Sequence, residues 1–198
     1  VYKRQHLDRY NAKDKNIIVI GGGDTGSDCI GTCNRHGASS VVNFELSHKP
    51  GKNRDSSNPW PYWPFTLKTT SSHQEGVSRE WSILTKKFTG DKNNNLTGIE
   101  TVNVEIDKIT GKISEIPNSN KTWKCDMVIL ALGFTGPEEA LPNLLDIDMD
   151  NRGNISSNSD YQTKKNNIFT AGDCRRGQSL IVWAISEGRE ASYHIDKY

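Results

Sequence analysis

The chain has 198 residues, 25 Lys and Arg against 24 Asp and Glu, and a formal net charge of +1. That near-neutral balance removes the electrostatic basis for binding nucleic acid or an anionic membrane surface. No apolar run approaches the ~20 residues of a membrane-spanning helix, and the length suits one good-sized domain or parts of two.

The N-terminus opens on Val1 instead of Met and shows no secretory signal, which predicts a segment of something longer. Residues 1–15 are polar and basic with little periodicity, as expected of a linker or the end of an upstream domain half. Then Ile17-Ile18-Val19-Ile20 forms an apolar run that reads as a strand buried on both faces, as in a parallel sheet. A glycine-rich turn follows at once: Gly21, Gly22 and Gly23, then Asp24, Thr25 and Gly26. Gly21, Gly23 and Gly26 have the spacing of a dinucleotide-binding fingerprint, in which each has a separate task. The first allows the tight turn, the second lets a diphosphate approach bare backbone, and the third lets helix pack on strand. A helix from Asp24 to Arg35 would then offer its free N–H groups to the phosphates, with Asn34 to Gly37 as its stop.

The next predicted strand, Ser40 to Glu45, ends in an acid about 20 residues beyond the turn, where a carboxylate accepts hydrogen bonds from the adenosine ribose. Such an acid repels a 2′-phosphate, so Glu45 favours NADH over NADPH, although Lys52 and Arg54 in the following loop oppose that discrimination. Residues 47–75 break the pattern. Asn58-Pro59-Trp60-Pro61-Tyr62-Trp63-Pro64-Phe65 cannot be helix or central strand, because proline lacks the donor and restricts φ. An ordered loop that packs its rings is expected there.

From Arg79 to Leu130 the alternation in Leu96–Ile106 and the Thr110-Gly111-Lys112 turn predict antiparallel strands laid on the core. Met127 to Phe134 repeats the opening logic, a buried strand running into Gly133. Ile168 to Asp173 reads as a short buried strand ending in Gly172-Asp173, and a helix is expected from about Ser179 to the end, with Leu180, Ile181, Ala184, Ile185 and Ala191 as its apolar stripe. An acid at a strand end facing a helix N-terminus suits a polar, partly anionic cofactor.

Cys29, Cys33, Cys125 and Cys174 lack Cys-x-x-Cys spacing and a nearby His/Cys set, so they read as small apolar packing in a reducing setting, with no metal expected. His73 and Glu75 share one loop, but neither they nor His36 and His48 are assigned catalytic work. Hydride transfer between two stacked rings needs no side-chain nucleophile.

The glycine fingerprint, the Ala131-Leu132-Gly133-Phe134 strand end and Ala171-Gly172-Asp173 with its closing helix together resemble the two-dinucleotide flavin oxidoreductases of glutathione-reductase type. The longer segments 21–32, 58–64, 73–75 and 171–189 are similar to the small-subunit region of the NADH-dependent glutamate synthases. The resemblance implies an α/β fold: a Rossmann-like NAD(P)-binding domain with a parallel sheet plus antiparallel strands, inserted in a partial FAD-binding domain. The implied division is 1–15 as the end of the upstream FAD half, 16–130 as the NAD(P)H domain and 131–198 as the C-terminal FAD portion.

Carried over by position, the resemblance gives Gly23, Asp24 and Thr25 to the diphosphate, Glu45 to the ribose and Gly133 to the nicotinamide side. It gives Asp173 to the flavin ribitol and the backbone around Gln178, Ser179 and Leu180 to the flavin ring. It further implies a cytoplasmic or organellar enzyme that passes electrons from NADH to FAD. Iron–sulfur clusters and FMN in a large partner region then carry them to glutamate formation from 2-oxoglutarate and glutamine. The first FAD fingerprint and the cluster cysteines are absent, so this segment alone is not expected to hold FAD tightly. Two other readings stay open: another flavin reductase on the same scaffold, and a nucleotide-binding module without turnover of its own.

Overall fold

A computed structural model describes residues 10–60, 65–107 and 110–198, which divide after Gly133 into two compact units. The expected linker residues 1–9 and the 61–64 heart of the tryptophan–proline loop lie outside the described residues.

The first unit is built on β1 (Asn16–Ile20), one residue longer than the predicted run, and on α1 (Asp24–Arg35) and β2 (Ser40–Glu45), which have the predicted bounds. β3 (Ser78–Trp81) and β8 (Met127–Leu130) complete a parallel sheet of order β3-β2-β1-β8. The apolar run of β1 is explained by what covers its two faces. Ile17 and Val19 pack against Ile30 and Cys33 of α1 and Val41. Ile18 and Ile20 face the opposite way, toward Phe44, Ile83 and Ile99. Both faces are dry, so alternation disappears from the sequence.

The second face is covered by an antiparallel layer of β4 (Ile83–Gly90), β5 (Leu96–Ile106), β6 (Ile113–Glu115) and β7 (Lys121–Lys124). The stretch expected to be antiparallel throughout is therefore mixed. β3 pairs in parallel with β2, and β8 in parallel with β1. Ser82, at φ +57, separates β3 from β4 and lets one chain segment serve two sheets. Within the loop expected at 47–75, a short helix α2 (Ser71–Gln74) is closed by a Thr70–His73 capping box.

The second unit holds α3 (Ala140–Leu145), α4 (Asp173–Arg176) and α5 (Ile181–Asp196). The strand expected at Ile168–Asp173 is reduced to a single bridge between Gln162 and Phe169. A strand needs a neighbour to share its ladder, and here the ladder amounts to the two bonds of that bridge, Thr170 N–H to Tyr161 O at 2.9 Å and Thr163 N–H to Ile168 O at 2.9 Å. The closing helix begins two residues later than expected, at Ile181.

Burial raises the thiol pKa of Cys29 and Cys33, and it pushes that of Cys125 up to about 11, in each case with help from a neighbouring anion or thiol. Thiols held protonated in this way are poor ligands and poor nucleophiles. Among the described residues no cluster of His, Cys, Asp and Glu has the makings of a metal site, and no helix is long and apolar enough to cross a membrane.

Candidate nucleotide-binding site

The parallel sheet reverses its order of construction at β1: the chain goes first to β2 on one side and later to β8 on the other. The carboxyl ends of the strands therefore splay apart at β1, the place where open α/β sheets bind ligands. A cavity of about 810 Å³ lies there, running from Glu45 and Leu46 past Gly21–Thr25 to Gly133. Its volume falls within the range of about 300–1,000 Å³ usual for small-molecule sites.

Steric demands separate the glycines. Gly21 sits at φ +112, and a Cβ there would lie 2.1 Å from the Ala131 carbonyl oxygen. A Cβ on Gly26 would lie 2.1 Å from the Gly21 carbonyl oxygen, so the helix can pack this close to the turn only without a side chain. At Gly23 a Cβ would meet no heavy atom within 4 Å among the described residues. Gly21 and Gly26 are thus required by the protein's own backbone, whereas the bareness of Gly23 serves nothing in the chain itself. This open backbone is the space a diphosphate would fill.

Gly23 is also the N-cap of α1, and no side chain caps the helix. The first intrahelical bond runs from Ser27 N–H to the Gly23 carbonyl at 3.0 Å. The N–H groups of Asp24, Thr25 and Gly26 are left without helical partners, at the positive end of the helix dipole. Asp24 and Thr25 are exposed and line the cavity.

Glu45 stands beside this turn. Its carboxyl carbon lies 2.1 Å from where a Gly22 Cβ would be, so Gly22 makes room for the acid. The carboxylate accepts from Arg79 at 2.7 Å, and both side chains are largely buried. Asn43, fully buried on the same strand face, donates to the carbonyls of Val19 and Gly21 at 3.1 and 3.0 Å and ties β2 to the turn. Neither Arg79 nor Asn43 stands out from the sequence as a site residue. A lone Asn inside an otherwise apolar strand was the available signal for the second.

His73 packs close to the same pair. Thr70 N–H donates to its Nδ1 at 3.1 Å, which puts the proton of the neutral ring on Nε2, and that atom is buried without a partner among the described residues. Burial, joined by the Arg79 charge and opposed by Glu45, lowers its pKa from the ordinary 6.5. Above pH 6.5 both the folded and the unfolded chain carry this ring neutral. Below it the unfolded chain binds the proton first, so stability falls with a slope of up to about 1.4 kcal/mol per pH unit until the lower folded pKa is reached. Urea unfolding between pH 7 and pH 5 should show a shallower decline in His73→Gln than in the parent; equal slopes would contradict the assignment.

In the second unit, Gly172 is at φ +73 and its N–H donates to Glu187 at 2.8 Å. Glu187 is 2% exposed and also accepts from Arg175 and Arg176, at 3.0 and 2.7 Å. Burial pulls its carboxyl upward, but the Gly172 bond and the two guanidinium groups outweigh this and hold it below the ordinary carboxylate value. The clamp presents Asp173, exposed, beside a small cavity of about 180 Å³ that Phe134 and Gln178 also line. Ser179 and Leu180 are exposed at the N-terminus of α5.

A parallel sheet with a bare glycine turn at its switch point is the architecture of the Rossmann-like dinucleotide-binding class. The chain belongs to the pyridine nucleotide-disulphide oxidoreductase family, whose pattern matches residues 2–188. It is 48% identical over 196 residues to the glutamate synthase [NADH] of Schizosaccharomyces pombe, with 94% of this chain and 9% of that protein covered. To the glutamate synthase [NADPH] small chain of Mycobacterium tuberculosis it is 40% identical over 188 residues, covering 94% of this chain and 38% of that one. The chain thus spans well under half the length of either relative. In fold it is similar to the thioredoxin reductase of T. acidophilum, with a TM-score of 0.65 at 20% identity, over 96% of this chain and 54% of that one.

Proposed function

We propose that this chain is the electron-input part of an NADH-dependent glutamate synthase, taking electrons from NADH through FAD toward L-glutamate formation from glutamine and 2-oxoglutarate. The observation that supports this reading most is the open Gly23 backbone at an uncapped helix N-terminus, in the same cavity as Glu45. The name of the fungal relative adds the substrate class.

In this reading residues 16–130 hold NADH. The N–H groups of Asp24 and Thr25 bind the diphosphate, with Gly21, Gly22 and Gly26 shaping the turn. Glu45 accepts from the ribose hydroxyls and disfavours a 2′-phosphate, and Gly133 borders the nicotinamide end. Residues 131–198 serve FAD, with Asp173 toward the ribitol and the backbone at Gln178, Ser179 and Leu180 toward the flavin ring. Bound FAD supplies the two-electron acceptor for the nicotinamide hydride. The chain's own contribution is to bind, orient and exclude water, and no side chain acts as acid or base. Ile181 and Ile185 of α5 are 76% and 56% exposed, which suits cover by the remainder of a flavin domain. A large synthase region bearing iron–sulfur clusters and FMN, in the cytoplasm, completes the proposal.

The test is dye reduction by the full-length protein. NADH should bleach the dye faster than NADPH, and glutamate should form when glutamine and 2-oxoglutarate replace the dye. Bleaching without glutamate formation would favour another flavin reductase, and no bleaching with either nucleotide would overturn the electron-input role.

A further inference from the structure

Glu45 lines the cavity and Arg79 does not: the acid stands in front of the guanidinium and screens it from the cleft. Arg79 is nevertheless held firmly from behind. One terminal nitrogen donates to the Lys68 carbonyl at 2.8 Å, and the guanidinium lies 4.9 Å from the centroid of the Trp81 ring. The other terminal nitrogen makes the 2.7 Å bond to Glu45 Oε1. The parallel register of β2 and β3, with Asn43 opposite Arg79 and Glu45 opposite Trp81, puts all four residues on one face of the sheet. Arg79 therefore keeps two of its three anchors when Glu45 is taken away.

We propose that Glu45 and Arg79 form a two-residue selector for the adenosine 2′ position, the acid reading a free hydroxyl and the arginine behind it being a screened 2′-phosphate site. The inference rests on the nucleotide reading of this cavity and deepens it. While Glu45 is present, Arg79 positions the carboxylate over Gly22, and a 2′-phosphate meets negative charge. When the carboxylate is removed, the guanidinium opens onto the cleft with one terminal nitrogen already aimed at the vacated oxygen position. Phosphate oxygens accept from guanidinium groups in the same geometry as carboxylate oxygens do. Specificity is then a matter of which anion, the protein's own or the ligand's, occupies one donor.

Fluorescence titration of NADH and of NADPH onto the intact protein and four variants tests this. Glu45→Ala should weaken NADH about tenfold and tighten NADPH about tenfold, the scale of one charge-assisted hydrogen bond. Glu45→Ser, which also removes the carboxylate and uncovers the Arg79 guanidinium, should move both affinities in the same directions should Glu45→Ala fold poorly. Arg79→Ala should weaken NADH without tightening NADPH, because the acid loses its anchor but stays. In Glu45→Ala/Arg79→Ala the gain for NADPH should vanish. An undiminished NADPH gain in the double variant would overturn the selector and leave simple relief of repulsion. Tight NADH binding in the parent with no NADPH gain in either Glu45 variant would overturn it too. Failure of the parent to bind either nucleotide would instead overturn the nucleotide reading itself.

Discussion

Replacing Gly21 with alanine is expected to destabilise the first unit by about 3–5 kcal/mol and to abolish NADH binding, whereas Gly23→Ala should abolish binding with a much smaller loss of stability. At Gly21 two costs combine. A residue with a side chain is strained at φ +112, and its Cβ would overlap the Ala131 carbonyl oxygen at 2.1 Å. Strain of this kind costs about 1–3 kcal/mol, and overpacking against rigid backbone adds about as much again. At Gly23 the backbone is extended, at φ −75, and the space beyond it is open. A methyl group there touches nothing of the protein, so the loss should stay at about 1 kcal/mol, the cost of alanine at a helix N-cap. It would occupy the place where a diphosphate must come closest. Urea midpoints paired with NADH titration separate the two variants. Equal loss of stability in both would show that Gly23 has a purely structural task.

Glu187→Ala should cost the second unit about 3 kcal/mol, and Glu187→Gln about 2 kcal/mol, read from urea unfolding. The carboxylate is 2% exposed and satisfies a backbone N–H and two guanidinium groups at once. Alanine leaves all three donors without their acceptor. Glutamine preserves one oxygen for Gly172 N–H but removes the charge. Because the Glu187 pKa is held below the ordinary 4.5, this stabilisation is present above that pH and is lost as pH falls through the lower folded value. The turn that carries Asp173 depends on the clamp, so flavin content of the full-length protein should drop in parallel. Unchanged unfolding midpoints in both variants would remove Glu187 from that task.

The residues that carry short-range signals were readable in advance. β1 lies within one residue of its expected bounds, and α1 and β2 match theirs, because a doubly buried apolar run, a glycine turn and a glycine stop each act within a few residues of themselves. Arg79 gave no such signal. An arginine between Ser78 and Glu80 reads as a solvated charge, and only the pairing of β3 with β2 turns it toward Glu45. The stretch that holds β3 and β8 reads as antiparallel for the same reason: a strand's own residues do not say whether its partner lies parallel or antiparallel. The apolar segment before Asp173 failed as a strand because no neighbouring strand within the second unit extends its ladder beyond one bridge.

The amino-acid order alone determined where the backbone must be bare, since the left-handed φ of Gly21 and the helix–turn contact of Gly26 are local steric demands that no distant residue can relax. Folding decided which charges face one another. Glu45 meets Arg79 across two strands, and Glu187 gathers the Gly172 N–H with Arg175 and Arg176 from a helix further along the chain. Ion pairing and hydrogen bonding depend on distance in space, which strand order and helix docking set and sequence separation does not.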